Sequence, residues 1–381
     1  EDIYPGVDLV FYGNQRELEY DFVVSPGADY RAIELQIKGA EELRIDERGD
    51  LIVGDEGDSI VMRAPNVYQV KKGERQAIGA HYVLLDDNRI LFDLATYDKQ
   101  QPLIIDPIIS YSTYLGGTIE DKAFDIAVDG KGNAYVIGVP DSVDFPTVNP
   151  LQTNLGGLDV FVSKIDSSGT ALIYSTYFGG DNTDIGSSIA VDSVGNAYIM
   201  GGTFSQENSF PITEGVFQSN WRGGTDAFVA KLNPTGSVLL FSTYLGGSQD
   251  ENRNLEGDIA VDTLGNVYIS GQTESPDFPT KNPLQAVKAG DSDAFIAKIN
   301  PTGSELIYST YLGGSDDNGE ELALGIAVDM SGSTYVEGRT RSTDFPTKNA
   351  LQPTNAGDVD VFLAKLNPTG SALVYSTYLG G

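Results

Sequence analysis

The chain of 381 residues contains no cysteine. Disulfides, thiolate metal sites and cysteine nucleophiles are therefore excluded. Secretion is not, because a chain this long does not need stapling. It has one histidine, His81. Zincin motifs and histidine-rich metal sites need more than one, and a Ser-His-Asp triad would have to use this residue. His81 lies in an apolar run, "GAHYVLL", and reads as a half-buried strand histidine. Positive charge is scarce: 24 Lys and Arg face 55 Asp and Glu, a net charge of −31. Phosphate backbones and anionic membranes are poor partners for such a field, and cations are the natural counter-species. No apolar run reaches the length of a membrane helix, so no transmembrane segment is expected. No phosphate-binding loop of the G-x-x-x-x-G-K type occurs. The chain opens on Glu1 without an initiator Met or a leader, as an excised or processed fragment would.

What is present is repetition. "YSTYLGG" at Tyr111 returns as "YSTYFGG" at Tyr174, "FSTYLGG" at Phe241, and "YSTYLGG" at Tyr308 and Tyr375. The first interval is 63 residues and the rest are 67. A fixed period of this size is the signature of a repeat architecture. In the third unit, β patterns at Ile259–Asp262, Val267–Gly271, Ala294–Ile299 and Leu306–Leu312 give four strands. The first two are joined by an Asp-x-x-Gly-Asn turn and the last two by Asn-Pro-Thr-Gly. Asp caps such a turn, Pro presets φ, and Gly supplies the left-handed position. Four antiparallel strands per period, without a helical pattern, describe β-propeller blades. A β-solenoid is the other repeat fold to weigh, but it has a shorter period.

"AVDxxGNxYxxG", "DFPTxNPLQ" and "DxFVAKxNPTG" followed by "YSTYLGG" resemble the SBBP-type bacterial β-propeller repeats, over residues 110–381. Residues 1–107, with "IYPGVDLVFYGNQ" and "LEYDF", resemble the domain of unknown function that commonly precedes them. The resemblance implies export, to the cell surface or beyond, and no enzymatic activity. The expected organisation is a small β-sandwich-like domain at 1–107, then units 118–180, 181–247, 248–314 and 315–381. A surplus fourth strand at 108–117 has no blade of its own, which points to a native chain that continues, or to an extra strand docked on the first domain. The hairpin "IDERGDLIV" places Arg48-Gly49-Asp50 at a turn, and the plain reading is a Gly turn with solvated flanks.

The loops after each Gly-Gly are acidic and differ between units. Clustered carboxylate and amide oxygens suit calcium. The candidates are Asp316, Asp317, Asn318 and Glu320, then Asp250, Glu251 and Asn252, with Asp181 and Asp184 in unit two. The alternative is a solvated acidic rim. With strands alternating in direction, these loops and the Asp-Phe-Pro-Thr loops share one face, the expected binding face. Trp221, the one tryptophan, breaks the repeat there and is a candidate ligand contact. Lys164, Lys231, Lys298 and Lys365 recur in the third strand and are expected to pair with an Asp or reach the edge. The phenylalanines of the Asp-Phe-Pro motif are expected to plug blade seams.

These features predict a non-catalytic secreted or cell-surface scaffold that offers its loop face to a protein, a glycan or another copy of itself. A carbohydrate-active enzyme using paired carboxylates is the first alternative. It requires an acidic pair in the central channel that other blades lack. A structural subunit of an extracellular assembly is the second.

Overall fold

The computed structural model describes residues 2–14, 17–36, 43–46, 48–53, 60–62, 64–71, 73–85, 88–106, 114–153, 156–167, 169–206, 209–251, 257–315 and 321–381. Apart from one 3-10 turn at Tyr30–Ala32, the described elements are all strands. The chain divides into two compact units, residues 1–114 with 168–171, and residues 115–167 with 172–381.

The first unit holds β1 (Asp2–Tyr4), β2 (Val7–Asn14), β3 (Glu17–Val24), β4 (Leu35–Gln36), β5 (Leu43–Ile45), β6 (Leu51–Val53), β7 (Ile60–Met62), β8 (Asn66–Lys71), β9 (Glu74–Ile78), β10 (Ala80–Leu85), β11 (Arg89–Leu94) and β12 (Leu103–Asp106). They form a six-stranded sheet, β1-β2-β3-β12-β8-β9, and two three-stranded sheets, β10-β11-β4 and β5-β6-β7. Val7, Phe22, Val24, Val67 and Leu103 from the first sheet meet Tyr82, Ile90 and Phe92 from the second and Leu51 and Met62 from the third in one buried core. Facing sheets with a shared apolar interior make this unit sandwich-like, as the sequence predicts. Two expectations change. His81 is exposed, not half-buried: its strand alternates, the neighbouring Tyr82 takes the core side, and His81 Nε2 meets Asp93 Oδ2 across the strand pair at 3.0 Å. Asp50 of the Arg-Gly-Asp turn is not solvated but buried, and accepts the Ala64 N–H at 2.8 Å, so the tripeptide is not displayed.

The second unit contains four sheets of four strands, each an antiparallel meander in sequence order. Blade 1 is β13 (Asp121–Val128), β14 (Ala134–Pro140), β15 (Val160–Ile165) and β16 (Leu172–Phe178). Blade 2 is β17 (Asp184–Val191), β18 (Ala197–Thr203), β19 (Asp226–Leu232) and β20 (Leu239–Leu245). Blade 3 is β21 (Gly257–Val261), β22 (Val267–Thr273), β23 (Asp293–Ile299) and β24 (Leu306–Leu312). Blade 4 is β25 (Leu322–Val328), β26 (Thr334–Thr340), β27 (Asp360–Leu366) and β28 (Leu373–Leu379). The first strands pack in succession, β13 on β17, β17 on β21 and β21 on β25. The strands of blade 3 agree with the sequence reading to within two residues at every end.

Each seam between blades is a sandwich of two sheets. Between blades 3 and 4, Tyr268, Ala294, Ile296, Tyr308 and Leu312 pack against Ile326, Val336, Phe345, Phe362 and Leu366. The Asp-Phe-Pro phenylalanines Phe278 and Phe345, and Phe210 of the Ser-Phe-Pro that replaces the motif in unit two, fill these seams as expected: each is nearly inaccessible and belongs to a seam core, while Phe145 packs with Leu115, Phe161 and Tyr177. Their loops do not stand out from the blade. Lys281 and Gln285 bridge Ser309 and Tyr311 of β24, and the same bridges recur at Val148, Gln152, Lys348 and Gln352. The loop thereby covers the outer edge strand, whose N–H and C=O groups would otherwise be open to another chain.

The two ends of the array differ from its interior. Tyr335, Val361, Leu363, Tyr375 and Leu379 of blade 4 occupy the positions of Tyr268, Ala294, Ile296, Tyr308 and Leu312, each fully buried in blade 3. In blade 4 Val361 is 44% and Leu379 39% exposed, because the described residues supply no further blade there. Residues 108–113 of the surplus strand lie outside the described residues, and 114–117 carry no strand pairing. Leu115 nevertheless packs with Phe145, Phe161 and Tyr177, the place that Leu312 takes in the next seams.

Candidate functional site

The repeated phrase assigns a physical task to each of its letters. Its first aromatic packs under the Asn-Pro-Thr-Gly turn of the next blade: a Cβ on Gly236, Gly303 or Gly370 would strike the ring of Tyr174, Phe241 or Tyr308. The threonine hydroxyl ties down the edge loop, as Thr310 Oγ1 accepts the Gln285 N–H at 2.8 Å. The second tyrosine crosses to the Asp-Phe-Pro loop, with Tyr311 Oη donating to Ser275 C=O at 2.9 Å. The first glycine lies between two carboxyl groups. A Cβ on Gly246 would sit 2.5 Å from both Asp226 Oδ1 and Glu251 Oε2. A Cβ on Gly179 would be 2.5 Å from Asp159 Oδ1 and 2.8 Å from Asp184 Oδ2, and one on Gly313 would be 2.6 Å from Asp293 Oδ1 and 2.9 Å from Glu321 Oε2. Each of these three seams thus holds a carboxyl at the start of the third strand of one blade and one from the next blade, in or ahead of its first strand.

These six acids are buried. Asp184 accepts from the Gly180 N–H at 2.6 Å and Ser205 Oγ at 2.9 Å, and also from Thr203 Oγ1. Glu251 accepts from the Gly247 N–H at 2.9 Å and Thr273 Oγ1 at 2.8 Å. Asp159 Oδ1, Asp226 Oδ1 and Glu321 Oε2 are buried without a donor. Burial pushes all six up: Asp184 to about 6, Asp226 and Glu321 to about 7, Glu251 to about 8, with Asp159 and Asp293 also raised.

The sequence-predicted calcium residues fall into three groups. Asn252, Asp316, Asp317, Asn318 and Glu320 lie outside the described residues. Asp184 and Glu251 are the seam carboxyls just described. Asp181 is exposed, with its side chain on Ser209 Oγ, and Asp250 Oδ1 accepts the Thr225 N–H at 2.8 Å. Among the described residues no three acids or histidines gather into a metal-ligating group. Trp221 is half-buried against the core between blades 1 and 2. The loops after Gly-Gly and the Asp-Phe-Pro loops do share a face, and they are bonded to each other. Asp144 Oδ1 accepts the Thr118 N–H at 2.9 Å, and Asp277 and Asp344 accept the N–H groups of Ser248 and Ser315 at 2.8 Å. These hydrogen bonds, led at Asp344 by the Ser315 hydroxyl at 2.6 Å, hold all three carboxyls below the ordinary aspartate range.

The third-strand lysines pair within their own blade. Lys298 Nζ lies 3.8 Å from Asp262 Oδ2 and 4.6 Å from the centre of the Tyr268 ring. Asp262 also takes the N–H groups of Leu264 and Asn266 and the Tyr268 hydroxyl, so one carboxylate closes the turn and anchors the lysine.

The sequence reading did not single out one blade-specific cluster. On the first strands, aligned positions carry Asp125, Ser188, Asp258 and Gly325. Ser188 Oγ is 2.7 Å from both Asp125 Oδ2 and Asp258 Oδ1. The alternation of Asp, Ser, Asp and Gly is visible in the sequence, but the contact between strands 63 and 70 residues apart is not. Both acids are saturated by backbone. Asp125 accepts from the Ile126 and Ile189 N–H groups, and Asp258 from those of Ile259 and Ile326. Each aspartate therefore bridges to a neighbouring blade.

A family model described as a β-propeller repeat, SBBP, matches residues 110–146, 173–205 and 240–279. One described as a domain of unknown function, DUF7948, matches residues 1–108. A search of curated proteins found no match. Among solved structures, a point mutant of the Synechocystis apocarotenoid oxygenase aligns at 9% identity and a TM-score of 0.32, over 88% of this chain and 69% of that one. The cobalt-substituted form of that enzyme gives 10% and 0.33 over the same shares. A puromycin-hydrolysing peptidase of Mycobacterium tuberculosis gives 11% and 0.34, over 97% of this chain and 52% of that one. Likeness at these scores carries no argument about fold or activity.

Proposed function

Because the chain belongs to the SBBP β-propeller-repeat proteins, with a DUF7948 domain ahead of its repeats, we propose that it is a non-catalytic interaction scaffold of the bacterial cell surface or exterior. Its partner, a protein or a glycan, would be met by the face that carries the loops after Gly-Gly. One observation carries the reading: the polar groups that the repeat places inside the blades are engaged in holding blades together, while these loops differ from unit to unit. The Asp262 type closes turns, the Asp277 type ties loops, and Asp125 and Asp258 bridge blades. A rigid frame with variable loops is the usual form of a binding platform. The absence of a membrane-crossing helix among the described residues is compatible with either location.

The test is a binding screen against arrayed glycans and purified surface proteins. The chain is compared with a variant whose residues 181–183 and 248–250 are replaced by Gly and Ser. Binding lost in the variant, with an unchanged melting temperature, supports the reading. Binding that survives would place the contact elsewhere.

Asp125 and Asp258 favour a second reading. They are an acidic pair on the first strands of blades 1 and 3, either side of Ser188, that blades 2 and 4 lack, the feature a carbohydrate-active enzyme requires. Paired acids about 5–10 Å apart can cleave glycosides. Against it, both are held by neighbouring backbone and share the Ser188 hydroxyl. Sugar release from chromogenic glycosides that disappears in Asp258→Asn, with folding retained, would decide for the enzyme.

A further inference from the structure

Three seams each place two buried carboxyl groups from adjacent blades against one point beside a glycine. The shared approach is closest at Gly246, where Asp226 Oδ1 and Glu251 Oε2 both lie 2.5 Å from the same Cβ position. Among the described residues no Lys or Arg forms an ion pair with any of the six acids. We propose that each of these seams is a proton-binding site, in which one proton is held between the two facing carboxyls and locks one blade to the next.

Two oxygens that each lie 2.5 Å from one Cβ position are at most about 5 Å apart, and like charges at that separation in a dry site disfavour ionising both carboxyls. The donors present leave one carboxyl oxygen of each pair without a partner. Glu251 has the Gly247 N–H and the Thr273 hydroxyl, and Asp226 Oδ2 has the Arg222 N–H at 3.0 Å and Gln218 Nε2 at 3.3 Å. Asp226 Oδ1 has none, and the same holds for Asp159 Oδ1 and Glu321 Oε2. A carboxyl proton supplies the donor that each pair lacks. The charged groups around the pairs do not replace it. The Arg222 charge acts favourably on Asp226 but is opposed by Asp277, and Lys288 acts on Asp293 only. The upward displacement of all six carboxyls agrees with the geometry.

The ends of the array provide the matched control. Asp360 lies beside Gly380 as Asp226 does beside Gly246, but no facing carboxyl stands there among the described residues. It is half of a pair.

The consequence has a definite sign. A carboxyl whose folded pKa is raised to about 6–8 contributes its full stability below the unfolded value near 4. That contribution is lost as pH rises through the folded value. Between those limits each such proton changes the unfolding constant about tenfold per pH unit.

The experiment is urea unfolding of the 381-residue chain from pH 5.5 to 8.5 at constant ionic strength. It compares the wild type with Glu251→Gln, Asp226→Asn and Asp360→Asn. The expected result is a wild type that weakens with rising pH. Glu251→Gln and Asp226→Asn should weaken less steeply and be stronger than wild type at pH 8.5, while Asp360→Asn keeps the wild-type slope. A slope unchanged in both pair variants overturns the proposal. So does a wild type whose stability does not fall. Calcium that raises wild-type stability at pH 8.5, reversibly with EGTA, and has no effect on Glu251→Gln would also overturn it, by showing a divalent cation in the seam. Should the pair variants fail to fold, infrared spectra of the wild type at pH 7 decide. A protonated-carboxyl C=O band must be present, and its absence ends the idea.

Discussion

At the scale of the residue, interchangeable-looking letters of the repeat have unequal weight. Gly246 has an ordinary backbone conformation, so its identity is explained by space: a methyl group there would meet two carboxyl oxygens at once. Gly246→Ala is expected to destabilise by about 1–3 kcal/mol, as overpacking does, read from the denaturant midpoint. Asp262 and Lys298 are partners, yet their removal should differ. Asp262 closes a turn through four donors besides the lysine. Asp262→Ala leaves donors unpaired and should lose about 1–3 kcal/mol. Lys298→Met keeps the apolar stem and the turn, and should lose about 1 kcal/mol or less. Equal losses in the two variants would show that the ion pair, not the turn, is what matters.

At the scale of the element, the Asp-Phe-Pro-Thr segment reads in sequence as a loop on a binding face. Its composition is that of a loop, and its position between the second and third strands is plain from the period. Its course is not, because the bridges from Lys281 and Gln285 to the outer strand depend on a partner 26–28 residues away. Phe278 is buried against Phe295 and Tyr311, with ring centres 4.7 and 6.0 Å apart. Phe278→Ala should therefore lose about 3–5 kcal/mol and speed exchange of the β24 edge amides. Leu264→Ala, at an exposed turn of the same blade, should change little. If the two substitutions cost the same, the loop is not the cover that its geometry describes.

At the scale of the whole molecule, two features act together: a net charge of −31 and an open apolar blade face. Self-repulsion of like charges opposes the compact state and is screened by salt. The melting temperature is expected to rise as NaCl increases from low ionic strength to about one molar. The open face predicts association. Val361 and Leu379, exposed where their counterparts in blade 3 are fully buried, make an apolar patch of the kind that other surfaces seek. Val361→Asp with Leu379→Asp should reduce dye binding to exposed apolar surface and lower any self-association seen by sedimentation, without loss of the fold. Dye binding equal to that of wild type would locate the apolar surface elsewhere.

The period, the four strands of each unit and their turns were legible because they rest on local chemistry. Alternating side chains define strands, and Asp, Pro and Gly set turn dihedrals within a few residues. The lysine partner was half legible: an Asp was expected, and the structure chose the one that closes the first turn of the same blade. Three matters were decided by tertiary structure alone. Asp184 and Glu251 read as loop ligands, yet they face carboxyls from another blade 25 residues back in the chain. Asp125, Ser188 and Asp258 meet across three blades, although the sequence shows them only as a variable position. Val361 and Leu379 look like core residues in every respect, and only the absence of a covering blade among the described residues leaves them open. A repeat states what each blade is made of. Burial, and with it the charge state of a buried acid, depends on what stands against the blade, and that is a property of neighbours.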